Sequence, residues 1–141
     1  RQYLEAAQEA AKGHGIRRTT RLPVAGAFHS PLMAKGAERL AAALEGVTVH
    51  APRVPVISNV TAQGTTDPDV IRANLVAQVT SPVRFVDCVK AGKTLGVATT
   101  VEVGPGKVLS GLTRRIESDI DTFSVESAEA LSALDLTASK D

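Results

Sequence analysis

The sequence predicts an α/β fold with a largely parallel sheet. Short runs rich in β-branched residues, Val54 to Val60 and Thr99 to Val103, alternate with longer stretches of three-to-four apolar spacing. Helix starts are punctuated by Asp67-Pro68 and Ser81-Pro82, each a capping residue followed by proline. Strands interleaved with helices need crossover connections, and crossovers favour parallel pairing.

The elements follow in order. RQYLEAAQEAAKGHG opens in helical pattern, with alanines, Leu4 and charged residues repeating at three and four; Gly13 and Gly15 suit its C-cap. A helix at position 1 without an initiator Met leads to the expectation of a fragment, with sequence upstream. Arg17 to Val24 alternates loosely and predicts a strand entering a loop at Leu22-Pro23-Val24. Pro31 predicts a helix to about Leu44, with Leu32, Leu40 and Leu44 on one stripe and Gly46 closing it. Val54 to Val60 reads as a short buried strand beside Pro52 and Pro55. Asp67-Pro68 starts a helix to about Val79, and Ser81-Pro82 a second whose apolar face is Val83, Val86 and Val89. Thr99 to Val103 is a strand, Gly104-Pro105-Gly106 a turn, and Lys107 to about Glu117 a helix. A strand at Thr122 to Val125, a helix at Ala128 to Leu134 and a frayed tail LTASKD complete the chain.

Composition excludes several function classes. The chain has 141 residues, enough to bury a core, with 43% hydrophobic and 22% charged content. Its 16 basic and 15 acidic residues leave a net charge of +1, which removes the electrostatic case for nucleic acid or an anionic membrane. Aromatics at 3% supply no stacking platform for bases. The single cysteine, Cys88, cannot close an internal disulfide, fits a reducing compartment, and is expected in the core. No apolar run approaches the ~20 residues of a membrane span, so a cytoplasmic protein is expected.

Local motifs give a mixed return. Ala91-Gly92-Lys93-Thr94 ends like a phosphate-binding loop, but that motif needs a glycine where Asp87 stands and a strand where a helix is predicted. Gly104-Pro105-Gly106 could cradle an anion at a helix start, or could be a tight turn where side chains do not fit. His14, His29 and His50 lie far apart without Cys or carboxylate at ligand spacing, so no metal site is expected. His14 and His50 read as surface residues. His29 stands in a loop, GAFHSPLM, between small residues and a helix start, where α/β folds place catalytic groups. A base needs a nucleophile, and no serine lies in Gly-x-Ser-x-Gly; Ser30 and Ser110 both fail the spacing.

Four segments together, LPVAGAFHSPLM, VPVISNVTA, LVAQVTSPVRF and VEVGPGKVLSGL, resemble the C-terminal half of malonyl-CoA:acyl-carrier-protein transacylases. The resemblance runs from about Ile16 to Ile116 and implies the C-terminal portion of an α/β-hydrolase-like acyltransferase domain. Residues 1–24 would be the last helix and strand of an inserted ferredoxin-like subdomain, and residues 25–141 would belong to the large domain. It further implies a ping-pong reaction carrying malonyl from malonyl-CoA, through an acyl-serine, to the phosphopantetheine thiol of acyl carrier protein. The serine, the arginine for the malonyl carboxylate and a glutamine near the oxyanion belong to the family's N-terminal half, which would be a partner of this chain. No cofactor is implied, since malonyl-CoA is substrate.

Residue by residue, the family's catalytic histidine falls on His29, and the main-chain carbonyl that orients it on Gln78. Phe28 matches the bulky aromatic associated with malonyl over methylmalonyl, excluding an α-methyl by size. Two classes of function follow: an acyltransferase portion that needs its other half, or a non-catalytic remnant or binding module of the same fold. Retention of His29, Gln78 and Phe28 together favours the first.

Overall fold

A computed structural model describes residues 2–21, 24 and 26–135. The predicted tail LTASKD and Leu22 and Pro23 of the first predicted strand lie outside them. The architecture is α/β, six α-helices with two small sheets among the described residues.

Helix α1, Gln2–Gly13, stops at a Schellman motif. The Ile16 amide donates to the Ala11 carbonyl at 3.0 Å and Gly15 to Lys12 at 3.2 Å. Gly15 holds φ +77, a left-handed torsion that glycine adopts without a Cβ penalty. The strand predicted from Arg17 is not formed: the described residues 16–21 and 24 carry no strand pairing. A strand is defined by its neighbour, and no other described strand pairs with this segment.

A single 3-10 turn, Pro31–Met33, leads into α2, Ala34–Glu45, with Gly46 as C-cap. Two-residue strands β1, Val56–Ile57, and β2, Gly64–Thr65, then form an antiparallel hairpin. The predicted buried strand Val54 to Val60 is thus cut to two residues, and Val54 is 68% exposed. Strand β2 carried no sequence signal; glycine and threonine in a two-residue run do not alternate.

Helix α3, Pro68–Ala77, starts where Asp67-Pro68 predicted. The Asp67 carboxylate accepts from the amides of Asp69 at 2.8 Å and Val70 at 3.2 Å, while Pro68 stands where a donor is not needed. Helix α3 packs on α2, and Arg72 donates to the carbonyls of Leu44 and Val47 at the end of α2. Helix α4, Phe85–Thr94, starts three residues later than Ser81-Pro82 predicted. The Arg84 amide donates to the Asn59 carbonyl at 3.0 Å, holding the segment before it as loop. Val83 and Val86 of the predicted apolar face are exposed.

Strand β3, Thr99–Val103, helix α5, Val108–Ile116, and strand β4, Asp121–Val125, form one parallel β-α-β unit in register from Thr99 opposite Asp121 to Val103 opposite Val125. Parallel pairing holds here alone among the described residues, because β1 and β2 are joined by a short loop that permits only antiparallel approach. Helix α5 is fixed to β4 by polar groups: Ser110 Oγ donates to the Phe123 carbonyl at 3.2 Å, and Arg114 donates to Thr122 through Nε and Nη2. Helix α6, Ala128–Ser132, is shorter than predicted and is capped by Ser127.

The expected core is small. Ala62, Ile120 and Val125 are the buried apolar residues among those described, joined by Ser110, Thr113 and Thr122. Val103 is 78% exposed and Val108 70%, at the C-terminal end of β3 and the start of α5. Apolar side chains with the spacing of core residues thus face outward.

The clearest local test of this fold is the cap of α3. Asp67→Ala strands two amide donors and should cost about 1 kcal/mol, whereas Asp67→Ser should recover most of it. Urea denaturation of the three proteins measures both.

Candidate functional site

His29 sits at the tip of the loop between α1 and α2, with φ +58, a left-handed torsion rare outside glycine. Holding a non-glycine residue there costs of order 1–3 kcal/mol and persists only where neighbours determine it. The Ser30 hydroxyl donates to the Ala27 carbonyl at 2.7 Å, and the Met33 amide donates to the Ser30 carbonyl at 3.0 Å. His29 is therefore bracketed by two closed turns.

The ring of His29 reaches a residue 49 positions away. Its Nδ1 lies 2.8 Å from the main-chain oxygen of Gln78. A carbonyl oxygen only accepts, so Nδ1 carries the hydrogen and, in the neutral ring, Nε2 keeps its lone pair. Gln78 is the C-cap of α3, and the last carbonyls of a helix have no partner within it. Those of Val76 and Ala77 are taken by the amides of Val79 and Thr80; that of Gln78 is left for the imidazole.

The Gln78 side chain turns the other way, its Oε1 accepting from Asn59 Nδ2 at 3.5 Å. Asn59 follows β1 and holds Arg84 through its carbonyl, so the hairpin, the end of α3 and the start of α4 meet behind the histidine. Nothing in the sequence marked Asn59 for this contact; its partner is set by the fold. Phe28, 57% exposed, lays its ring over Gly26, where an added Cβ would stand 3.4 Å from the ring. A groove of about 480 Å³ borders Gly26 and Ala27, walled by Leu4 and Gln8 of α1 and by Thr19, Thr20 and Arg21.

The remaining motifs resolve structurally. Gly92-Lys93-Thr94 is the last turn of α4: Gly92 is buried against Ile57 and Val97, and Lys93 pairs with Glu117 at 2.6 Å and Asp119 at 2.8 Å. Its backbone donors are spent within the helix, so it forms no phosphate cradle. Ser110 is buried and bonded to β4. Cys88 is half-buried; burial chiefly, and then Asp87, push its thiol up against the opposing Arg84, so it stays protonated. His14 and His50 are exposed. No helix among the described residues is long and apolar enough to cross a membrane.

At Gly104-Pro105-Gly106 the anion position is already filled. Both carboxylate oxygens of Glu102 accept from the first amides of α5, Leu109 at 3.1 Å and Ser110 at 2.8 Å. The turn is tight for torsional reasons, not for lack of room: Gly104 and Gly106 have φ +132 and +97, yet a Cβ at either would meet nothing within 4 Å.

Over most of its length the chain resembles known proteins. It is 41% identical over 128 residues to the malonyl CoA-acyl carrier protein transacylase of Bacillus subtilis, covering 91% of this chain and 40% of that protein. Identity to the Escherichia coli K12 enzyme of the same name is 38% over 133 residues, covering 94% of this chain and 43% of that protein. The chain's homologues are malonyl CoA-acyl carrier protein transacylases. It spans about two fifths of their length. Among solved structures, an acyl carrier protein S-malonyltransferase from Vibrio cholerae superposes with a TM-score of 0.82 at 39% identity, over 93% of this chain and 43% of that one. A malonyl-transacylase solved in complex with a type II polyketide synthase acyl-carrier protein gives 0.83 at 36%, over 95% of this chain and 44% of that one. No family model matches the chain.

The hydrogen bonds from Ser110, chiefly its amide, and from Leu109 and Val108 hold the Glu102 carboxyl below the usual glutamate range. A depressed carboxyl stabilises the fold above its unfolded pKa, and the contribution is lost as pH falls through the folded value. Glu102→Gln should therefore lower stability at pH 7 and flatten the loss below about pH 4. Urea midpoints taken from pH 7 down to pH 3 test this; parallel curves for the two proteins would refute it.

Proposed function

We propose that this chain is the C-terminal portion of a malonyl-CoA:acyl-carrier-protein acyltransferase and supplies its catalytic histidine. The observation that carries the reading is the His29 Nδ1 to Gln78 carbonyl bond, which in the neutral ring leaves the lone pair of Nε2 free to act as base. Homology to transacylases named for malonyl-CoA and acyl carrier protein supports those two molecules as substrates.

The nucleophile is a serine of the N-terminal portion, in an α/β-hydrolase-like domain that the two portions complete. Residues 1–24 are the end of an inserted ferredoxin-like subdomain and 25–141 return to the large domain. The outward-facing apolar side chains supply the surface on which the N-terminal portion packs. The setting is cytoplasmic.

The reaction has two halves related by symmetry. Nε2 of His29 takes the serine proton as Oγ attacks the malonyl thioester carbonyl. Collapse of the tetrahedral intermediate breaks the C–S bond, and the imidazolium returns its proton to the departing coenzyme A thiolate. The carrier protein's phosphopantetheine thiol then gives a proton to the same nitrogen and attacks the malonyl-serine ester; collapse breaks the ester C–O bond, and the imidazolium returns its proton to serine Oγ. Gln78 and the end of α3 stabilise the imidazolium in both halves, in the role an aspartate has in a serine triad. Phe28 faces the α-carbon of the acyl group and excludes a methyl there.

Mutants of the full-length polypeptide carrying this chain test the assignment. His29→Ala should lower kcat by roughly 10²–10⁴-fold with KM for malonyl-CoA and melting temperature little changed. Gln78→Ala keeps the carbonyl and should be mild. A purely structural histidine predicts the reverse, a lower melting temperature at unchanged rate per folded molecule.

Selectivity is tested separately. Phe28→Ser opens room for one methyl, and the methylmalonyl-to-malonyl ratio of kcat/KM should rise by about 10–200-fold. An unchanged ratio removes Phe28 from specificity.

A further inference from the structure

We propose that Ser30 is a positioning residue, whose hydroxyl holds His29 in the left-handed conformation that delivers Nδ1 to the Gln78 carbonyl. The purpose of this device rests on the acyltransferase reading; its geometry does not. Three observations meet at one residue. His29 has φ +58, unlike any other described residue of the loop between α1 and α2 apart from Gly15. Ser30 Oγ donates to the Ala27 carbonyl at 2.7 Å, a bond that spans His29 and closes the chain around it. The Ser30 carbonyl accepts from the Met33 amide at 3.0 Å, so the downstream side is anchored to the 3-10 turn that Pro31 begins.

Ser30 occupies the N-cap position of that turn, with φ −140 and ψ 164, yet its side chain makes no cap hydrogen bond. An N-cap serine ordinarily bonds forward to the free amides of its helix. Here the hydroxyl turns back to Ala27. The choice leaves the turn uncapped and spends the bond on the residue that needs external support. Were His29 to relax to a negative φ, Cα–Cβ would swing away and the ring would leave the end of α3. A hydroxyl at position 30 therefore decides which ring nitrogen carries the proton, without touching the ring.

The experiment reads the imidazole itself, with no acyl substrate present, so its outcome is independent of whether the protein transfers malonyl. Long-range ¹H–¹⁵N spectra of the chain labelled at histidine report the tautomer of each ring. The unaltered protein should show His29 as the Nδ1–H tautomer. Ser30→Ala should shift it toward the exchanging mixture of an imidazole without a fixed partner, and Ser30→Thr, which restores the hydroxyl, should recover the Nδ1–H form. Ser30→Ala with the His29 tautomer unchanged overturns the proposal.

If Ser30→Ala folds too weakly for histidine spectra at working concentration, a double-mutant cycle with His29→Gly, read from urea midpoints, decides the matter. Glycine takes a positive φ without support, so the drop in urea midpoint caused by Ser30→Ala should shrink markedly when His29→Gly is already present. An equal drop with and without His29→Gly would mean that the hydroxyl does not act through the backbone of residue 29, and the proposal fails.

Discussion

The bond between His29 and the Gln78 carbonyl organises everything around it. It joins the loop before α2 to the end of α3, across 49 residues. A loop side chain keeps one orientation only if it has a fixed partner, and a helix terminus is a rigid source of unpaired acceptors. Helix α3 can serve only if it stops at the right residue. Its start is set by Asp67 and Pro68, its flank by Arg72 against the end of α2, and its final side chain by Asn59.

The same economy appears at the other helix start of interest. Helix α5 presents free amides next to a glycine turn, the arrangement that many proteins leave open for a phosphate. Here Glu102 of the preceding strand fills it. The turn is thereby a structural joint between β3 and α5, and the groups with chemistry to offer are gathered instead in the loop before α2.

The sequence was most legible where covalent geometry dictates structure. Asp67-Pro68 predicted the start of α3, the glycine after α1 its stop, and the run Thr99 to Val103 its strand, because caps, torsions and β-branching act locally. Ser81-Pro82 carried the same signal as Asp67-Pro68 and failed. There the Asn59 carbonyl and the Arg84 amide, far apart in the chain, hold the backbone open. The strand expected before His29 failed for a related reason, since pairing is a property of two segments. His29 stood out in the sequence by its loop context and Phe28 only through the family resemblance; Asn59 and the hydroxyl of Ser30 did not, because their partners are main-chain or distant atoms. The antiparallel hairpin of β1 and β2 was invisible, being two residues on each side.

Val103, the last residue of β3, and Val108, the first of α5, stand largely bare to solvent at one end of a two-stranded parallel sheet. Parallel pairs are stable where both faces are covered, and β-branched residues on an open strand invite pairing with any strand that arrives. Surfaces of this kind are what chaperones bind and what proteases sample when a chain opens. A surface that covers those valines therefore both stabilises the native fold and removes a site of unwanted association.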